Sequence, residues 1–460
     1  MLKITNPADG SVIAELPEDA HESVVAKHRA ARAAQPAWAA TPLQHRLACI
    51  RRFREGIVRD QDKLAAILTS EVGKPIRQSR NELAGLLGRL DFFLNESATT
   101  LAPRQVHDEG AGSGKMREVI EHVPLGVVAN ISAWNYPYFV GSNVFVPALL
   151  AGNAVLYKPS EYATLTGLEI GRLLHASGVP QDVFQVLVGG GRVGIELLKE
   201  PVDGVFFTGS YATGKRIAEA VAGRMVKLQL ELGGKDPAYA CDDVDVAAAA
   251  ASLADGAMYN TGQSCCSVER IYVHEKIHDD FVDAFVREVK NFKVGEPTAE
   301  DTYIGPLTRT QQVKVLQMQV ADAVAKGARL LVGGKPLDRP GGHWFEPTVL
   351  VDVSHDMLVM REESFGPIIG IQKVANDDEA VRLMNDTDYG LTAGVYTTNE
   401  ARAKAILARV DAGSAYWNCC DRVSPRLPWS GVKHSGVGLT LSTYGIETFT
   451  RPKAWHLRAP

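Results

Sequence analysis

The residues best suited to chemistry lie in the stretch Asn260-Thr261-Gly262-Gln263-Ser264-Cys265-Cys266. This stretch places two thiols at a turn before an apolar segment, where backbone N–H groups can point at an oxyanion. A thiol that acts as a nucleophile also needs a base or a charge to form the thiolate. Since a buried structural thiol is the commoner role of a cysteine, the stretch indicates a nucleophile only together with partners elsewhere in the chain.

Two upstream residues are candidates for those partner roles. Glu231 ends the apolar run Val226–Leu230 and precedes a Gly-Gly turn. Burial there would raise the pKa of the carboxylate toward neutrality, which suits a general base. Asn135 offers an amide donor at a strand-to-helix turn, and loss of one oxyanion donor typically costs about 3 kcal/mol in the transition state. The ordinary alternatives are a solvent-facing carboxylate at Glu231 and a turn-forming residue at Asn135.

The cysteine stretch, the glutamate segment and Trp134-Asn135-Tyr136-Pro137 together resemble the aldehyde dehydrogenase superfamily, and the resemblance runs from Asn6-Pro7 to Gly445-Ile446-Glu447. It implies an NAD(P)-dependent, hydrolytic enzyme that does not acylate coenzyme A. By this resemblance Cys265 attacks the aldehyde, and the Asn135 side chain holds the oxyanion together with the Cys265 backbone N–H. The resemblance also implies that Glu231 activates the water that hydrolyses the thioester. Cys266 is the rival nucleophile, and we expect it to pack behind Cys265.

Two glycine-containing segments are candidates for binding the cofactor. Gly189-Gly190-Gly191-Arg192-Val193-Gly194 matches the pattern GxGxxG after a strand. However, no acidic residue ends a second strand about 20 residues further on, where a Rossmann fingerprint carries one. The resemblance implies Phe207-Thr208-Gly209-Ser210 instead, with Gly209, Ser210 and Gly214 opening a helix whose N-terminus faces the pyrophosphate. We therefore interpret the triple glycine as a turn.

Further cofactor contacts follow from the resemblance. Lys158 and Glu161, after a strand, are implied to bind the adenosine ribose. A carboxylate that accepts from the 2′-hydroxyl would repel a 2′-phosphate, so NAD is expected, and the adjacent lysine leaves NADP open. Glu363 is implied to hold the nicotinamide ribose and Phe365 to flank the ring, with Trp134 also at the cofactor. A solvated turn and a plain loop or helix cap are the alternatives for these two segments.

The composition is that of an ordinary globular protein. The chain has 460 residues, of which 45% are hydrophobic and 22% charged, with a formal net charge of −5. Without a basic run, this charge favours neither nucleic acid nor an anionic membrane as a partner. Six cysteines, four of them in two adjacent pairs, suit neither a disulfide framework nor a CxxC metal site. We expect a reducing cytoplasm, no metal ion and no export signal.

The hydrophobic periodicity predicts an α/β protein. Residues 20–95 have helical spacing, and strands then alternate with helices, which predicts parallel sheets with helices on both faces. The uncharged segment Val123–Tyr157 is long enough to span a bilayer, but its prolines and asparagines divide it into buried strand, turn, helix and strand. Residues 293–345 are predicted to be rich in loops. The predicted strands are 125–131, 154–158, 183–188, 204–208, 226–230 and 270–274, and the later helices are 138–150, 164–177, 194–199, 211–222, 244–259 and 276–292.

These elements, with the resemblance, predict two Rossmann-like parallel-sheet α/β domains and a small β oligomerisation arm. Residues 1–105 and 125–232 are assigned to an NAD(P)-binding domain and 233–440 to a catalytic domain. Residues 106–124 and 441–460 are assigned to the arm and tail. The resemblance implies a homodimer or a homotetramer.

The sequence defines the substrate less well than it defines the reaction. Succinate-semialdehyde relatives often carry arginines at the positions of Asn143 and Tyr259, and Arg422 and Arg426 are either replacements or surface residues. We therefore expect an uncharged aliphatic or aromatic aldehyde, with a semialdehyde as the alternative. A CoA-acylating enzyme is a further alternative, but such relatives generally lack the glutamate found at Glu231. A catalytically silent binding protein would be expected to have lost the thiol or the oxyanion donor, and this chain has both.

Overall fold

The computed structural model describes residues 1–460 and has the predicted α/β architecture. Its strands are β1 (Leu2–Thr5), β2 (Val12–Leu16), β3 (Arg104–Asp108), β4 (Met116–Pro124), β5 (Val127–Ile131), β6 (Ala154–Lys158), β7 (Phe184–Val186), β8 (Gly204–Thr208), β9 (Lys227–Glu231), β10 (Asp236–Ala240), β11 (Val268–His274), β12 (Arg329–Val332), β13 (Thr348–Val351), β14 (Ile368–Val374), β15 (Thr392–Tyr396), β16 (Ser414–Trp417), β17 (Gly436–Val437) and β18 (Thr450–Arg458). Its helices are α1 (His21–Ala40), α2 (Leu43–Arg59), α3 (Gln61–Val72), α4 (Ile76–Thr100), α5 (Pro137–Ala151), α6 (Thr164–Ala176), α7 (Gly191–Lys199), α8 (Tyr211–Val221), α9 (Val246–Met258), α10 (His278–Asn291), α11 (Thr310–Ala325), α12 (Leu358–Arg361), α13 (Asp377–Asn385), α14 (Glu400–Leu407) and α15 (Ser442–Glu447).

The first large sheet has six strands in the order β17-β9-β8-β5-β6-β7. All neighbours in it are parallel except the short β17, which runs antiparallel to β9. Strands β5, β6 and β8 are buried along their whole length, because their apolar residues are covered by helices on both faces. The triple glycine forms the turn into α7, as predicted.

The uncharged segment Val123–Tyr157 lies inside this first unit. It contains β5, α5 and most of β6, and α5 is buried around nearly its whole circumference, as expected of a helix that is apolar on every side. None of the helices combines the length and the apolar character that a membrane crossing demands.

The second large sheet has seven strands in the order β12-β13-β14-β11-β10-β15-β16. Only β12 is antiparallel to its neighbour. The helix α9 covers this sheet with an alanine-rich buried face and leads directly into the cysteine stretch. The predicted site residues therefore lie where strands β5, β6, β8 and β9 of the first sheet end and where strands β11 and β14 of the second sheet begin.

A third, antiparallel sheet has the order β18-β4-β3 and lies largely exposed. It is the small β arm that the sequence predicts. Strand β17, at Gly436–Val437, pairs with β9 of the first sheet, so the chain returns to that sheet just before the predicted boundary at residue 440. The division of the chain into domains stays a prediction.

The prediction that residues 293–345 are mostly loop was incomplete. Helix α11 occupies Thr310–Ala325, and β12 follows it. The glycine pairs near the end of the segment, Gly333-Gly334 and Gly341-Gly342, favour turns. In the middle of the segment, however, Leu316, Val320 and Ala323 repeat at helical spacing and are buried. The apolar stripe rather than the glycines therefore indicates the structure of this part of the segment.

Candidate active site

Cys265 lines two cavities of different size. The larger has a volume of about 640 Å³ and the smaller about 210 Å³. Only three residues line both of them, namely Asn135, Glu231 and Cys265. The three residues predicted to be catalytic are therefore brought together where the two cavities adjoin.

The cysteine loop has an unusual backbone. Asn260, Thr261 and Gly262 follow one another with φ values of 54°, 58° and 69°, a region that costs non-glycine residues free energy unless neighbours hold them there. The Asn260 N–H donates to Gln78 Oε1 at 3.0 Å, and the Gly305 N–H donates to Thr261 Oγ1 at 3.0 Å. These contacts fix the turn that ends α9 and presents Cys265 to the cavities.

Asn135 is attached to the same loop. It is buried in the turn between β5 and α5, and its Nδ2 donates to the backbone oxygen of Gln263 at 3.2 Å. The Asn260 side chain in turn donates to the backbone oxygen of Asn135 at 3.3 Å. Because a carboxamide has two N–H donors, one N–H of Asn135 remains for a ligand beside Cys265.

Glu231 is a buried carboxyl group at the end of β9. Burial raises its pKa to about 7, while hydrogen bonds and the positive charge of Arg89 oppose the rise. Its main hydrogen-bond donor is the Thr440 hydroxyl, and the Thr208 hydroxyl lies 3.5 Å away on the other oxygen. A carboxyl group that titrates near neutrality can accept a proton from water at ordinary pH.

The two adjacent cysteines have different surroundings. Cys265 is partly exposed to the cavities, whereas Cys266 is buried and its thiol donates to Asp421 Oδ1 at 2.9 Å. The hydrogen bond with Cys265, then burial and the nearby Asp421, raise the pKa of the Cys266 thiol. Since the thiolate is the nucleophilic form, Cys266 is the less suitable nucleophile.

The smaller cavity contains most of the predicted cofactor residues. Trp134, Gly209, Ser210, Glu363 and Phe365 all line it. Ser210 is the N-cap of α8 and accepts from the Thr213 N–H, so the N-terminus of that helix opens beside the cavity. At Gly209 and Gly233 a Cβ atom would overlap neighbouring side chains. The buried Nε of Arg309, another lining residue, has no partner. Helix N-termini, glycine turns and arginines suit the phosphates of a dinucleotide.

Three predicted cofactor residues lie outside that cavity. Gly214 is inside α8, where a Cβ atom would overlap the side chain of Leu232. Its local role is therefore to let α8 pack closely against Leu232. Lys158 is buried at the end of β6, its Nζ 3.9 Å from Glu161 Oε2. The partly exposed Glu161 follows three residues later.

A buried ion pair supports the loop that carries Glu363 and Phe365. Lys235 Nζ lies 2.7 Å from Glu269 Oε2, and both side chains are buried. The Glu269 carboxylate also accepts the backbone N–H groups of Ser364 at 2.8 Å and Phe365 at 3.0 Å. Phe365 has a φ of 47° and lies 5.5 Å from Trp134, ring centre to ring centre. The pair therefore holds the backbone that places the Phe365 ring beside Trp134 at the smaller cavity.

Sequence reasoning missed several residues around the larger cavity. Lys74 and Glu82 form a second buried ion pair, and Glu82 Oε1 accepts the Tyr138 N–H at the start of α5. Arg89, further along α4, is buried and donates to Asn143 Oδ1 at 2.8 Å. All three lie on a segment that sequence patterns identify only as helical. Arg422 and Arg426 line this cavity and are exposed, and their role as replacements for the missing arginines stays a prediction.

Comparisons with known proteins agree with this geometry. A sequence model described as "Aldehyde dehydrogenase family" matches residues 1–455. The chain is 35% identical to the 3,6-anhydro-alpha-L-galactose dehydrogenase of Streptomyces coelicolor, covering 99% of this chain and 93% of that protein. It is 34% identical to the succinate-semialdehyde dehydrogenase [NADP(+)] of Deinococcus radiodurans, covering 97% of this chain and 93% of that protein.

Solved structures show the same likeness. The crystal structure of PnpE in complex with nicotinamide adenine dinucleotide superposes with a TM-score of 0.95 at 32% identity, covering 99% of this chain and 94% of that one. The match thus extends over both large sheets and both cavities. The chain belongs to the aldehyde dehydrogenase family, and it is an NAD(P)-dependent aldehyde dehydrogenase.

Proposed function

We propose that this enzyme oxidises an aldehyde to its carboxylic acid through a thioester on Cys265. One observation carries the proposal: Asn135, Glu231 and Cys265 are the only residues that border both the larger and the smaller cavity. An aldehyde in the larger cavity and a nicotinamide ring in the smaller one would meet at the Cys265 thiol. The balanced reaction converts aldehyde, NAD(P)+ and water into carboxylic acid, NAD(P)H and a proton.

In the first half of the reaction the Cys265 thiolate adds to the aldehyde carbon and forms a thiohemiacetal. The former carbonyl oxygen becomes negatively charged and accepts hydrogen bonds from Asn135 Nδ2 and from the Cys265 backbone N–H. Such donors act because they are already oriented before the charge develops. Held by the residues that line the smaller cavity, NAD(P)+ would supply the two-electron oxidant, as the acceptor of the aldehyde hydrogen as hydride, and Cys265 would then carry the acyl group as a thioester.

In the second half Glu231 accepts a proton from water, which attacks the thioester carbonyl carbon. The carbon–sulfur bond breaks, the Cys265 thiolate is regenerated and the carboxylic acid leaves. The pKa of Glu231, raised to about 7 by burial, matches this task at neutral pH. Hydrolysis by water also separates this proposal from a CoA-acylating enzyme, in which the thiol of coenzyme A takes the acyl group.

The preference for NAD over NADP is part of the proposal. Glu161 is the carboxylate that would accept from the 2′-hydroxyl of the adenosine ribose and repel a 2′-phosphate. Lys158, 3.9 Å from Glu161, would reduce that repulsion and permit slower use of NADP. Gly209, Ser210, Glu363, Phe365 and Trp134 would hold the remainder of the cofactor, with Gly214 packing the helix behind them.

We also propose a homodimer or homotetramer in the cytoplasm, and the division into the domains given above. The exposed three-stranded sheet of β3, β4 and β18 offers an unpaired outer edge to another copy. All six cysteines are free thiols, which suits a reducing compartment.

The direct test is NAD(P)H formation with propanal and benzaldehyde, with and without coenzyme A, followed by identification of the product. The proposal expects the free acid and no dependence on coenzyme A. An acyl-CoA product would favour the acylating alternative, and absence of turnover over a broad aldehyde panel would contradict both.

A further inference from the structure

The larger cavity contains the buried guanidinium of Arg89, which forms no ion pair with a carboxylate, although the charges of the nearby Glu231 and Glu82 act on it. Arg89 is 5% exposed, and its side chain makes a single hydrogen bond, from Nη1 to Asn143 Oδ1 at 2.8 Å. Its guanidinium carbon lies 4.0 Å from the centre of the Phe139 ring. A guanidinium has five N–H donors, so most of them are left for a ligand in the cavity that Arg89 lines.

The neighbouring groups bring Arg89 into this position. Gln78, Glu82, Gly85 and Arg89 follow one another at helical spacing on the cavity face of α4. At Gly85 a Cβ atom would crowd the Phe139 ring, so this glycine lets the ring pack close below the guanidinium. Gly88 has open space where its Cβ would lie, and the cavity therefore continues beside Arg89.

The acidic residues of the same wall already have partners. Glu82 is paired with Lys74, Asp255 accepts from the Tyr303 hydroxyl, and Asp421 accepts from the Cys266 thiol and from Ser264. Glu231, the fourth acidic residue of this wall, accepts from the Thr440 hydroxyl, and its charge acts on Arg89 without forming an ion pair. Burial raises the pKa of Asp421 to about 6 and lowers that of Arg89 to about 10. Arg89 thus remains fully charged at neutral pH.

Two more arginines lie at the exposed part of the same cavity. Arg422 and Arg426 line it and pair with no carboxylate, although they remain in contact with solvent. An anion entering the cavity therefore meets positive charge first at the surface and then at Arg89. Leaving a buried charge unpaired is costly, so a ligand that pairs with Arg89 gains more than it would at an exposed arginine.

We propose that the larger cavity selects aldehydes whose tail carries a carboxylate, and that Arg89 is the residue that binds this carboxylate. The inference rests on the proposed function, because it concerns the substrate of the same Cys265 site. The guanidinium of Arg89 can bind a carboxylate through two parallel N–H···O bonds, while Asn143 and Phe139 fix its orientation. Arg89 reaches the cavity from α4, rather than from Asn143 or Tyr259, the two positions singled out in the sequence.

The test compares ω-oxo acids of two to six carbons with the n-alkanals of the same chain length, in saturating NAD+. The quantity measured is the ratio of kcat/KM for each acid to that for its alkanal. The proposal expects a ratio well above one for at least one chain length in the natural enzyme. In Arg89→Met that ratio should fall by about 10- to 150-fold, the range for a hydrogen bond to a charged group, and Arg89→Lys should restore part of it.

Arg77→Met is the matched control, because Arg77 is on the same helix, exposed and outside the cavity; it should keep the natural ratio. Inhibition of alkanal oxidation by succinate gives a second measurement, and it should weaken in Arg89→Met. An unchanged ratio in Arg89→Met, a natural preference for alkanals, or a preference for 4-aminobutanal would overturn the inference. Oxidation of alkanals would still stand in each of these cases, whereas loss of all turnover would refute the proposed function itself.

Discussion

At the scale of single residues, the chemistry depends on how differently neighbouring groups are solvated. Cys265 and Cys266 are adjacent, yet only Cys265 lines both cavities. The thiol of Cys266 instead donates a hydrogen bond to Asp421. Glu231 is a carboxyl group whose burial, rather than any charged neighbour, brings its pKa to about 7. Sequence position alone does not distinguish these environments.

The two cysteines should therefore respond differently to substitution. Cys265→Ala is expected to abolish turnover and to leave NAD+ binding measurable by fluorescence titration, because the smaller cavity keeps its other lining residues. Cys266→Ala should still form an acyl-enzyme, because its thiol is not the nucleophile. Turnover by Cys265→Ala comparable with that of the natural enzyme would refute the assignment.

The protonation of Glu231 should govern the pH dependence of hydrolysis. Below a pH of about 7 the carboxyl group is increasingly protonated and cannot accept a proton from water, so steady-state turnover should fall as the pH falls. In Glu231→Gln this limb should disappear, with a slower steady state and a retained pre-steady-state burst of NADH. An unaltered pH profile in this variant would exclude Glu231 as the base.

Thr440 should tune that pKa. Its hydroxyl is the strongest hydrogen-bonding influence that lowers the pKa of Glu231, and Thr208 is a weaker one. Thr440→Val should therefore move the acid limb of the profile to higher pH, and Thr208→Val should move it less. A shift to lower pH in Thr440→Val would contradict this account.

At the scale of elements, buried ion pairs fix the segments that carry the site. Lys235 and Glu269 hold the Glu363–Phe365 loop, and Lys74 with Glu82 joins α4 to the start of α5. The long-range contacts are those from Lys235 to Glu269, 34 residues apart, and from the Tyr138 N–H to Glu82, 56 residues apart. The charged residues of these pairs do not repeat at helical or strand spacing in the sequence. Sequence patterns therefore predict the helices and strands but not these contacts between them.

Removing one partner of such a pair should cost both stability and cofactor binding. Glu269→Gln leaves Lys235 as an unpaired buried charge, which typically costs about 3–5 kcal/mol, and it weakens the hold on the backbone of Ser364 and Phe365. Urea unfolding should show the loss, and NAD+ titration should show a higher Kd. Glu400→Gln, which removes an exposed pair with Lys404, is the control and should change both far less. A Kd equal to that of the natural enzyme would contradict the role of the pair.

Much of the fold follows from the sequence for identifiable reasons. Uncharged runs such as Val127–Ile131 predict buried parallel strands, and the glutamate, amide and thiol motifs predict three residues that the fold brings together. The run Thr310–Ala325 was missed because nearby glycines suggested loops. The expectation of an uncharged substrate took into account the missing arginines at Asn143 and Tyr259 and the candidate replacements Arg422 and Arg426, but not Arg89, which lines the cavity from α4. That expectation stays a prediction, and our inference opposes it.

At the scale of the whole molecule, two α/β units enclose the site and a small sheet projects from them. Strand β18 pairs along its length with β4 and is otherwise exposed. An exposed edge of this kind invites pairing with a second chain. Removal of residues 450–460 should therefore lower the molecular mass measured by sedimentation toward that of a monomer, and an unchanged mass would place the subunit interface elsewhere.

The most direct test of the central claim is mass spectrometry of the covalent intermediate. Glu231→Gln should be mixed with an aldehyde and NAD+, quenched in acid and digested, because slow hydrolysis lets the thioester accumulate. The account predicts the acyl group on Cys265 and on no other residue. An acyl group on Cys266 or at another site, or turnover at the natural rate with no adduct on Cys265, would contradict it.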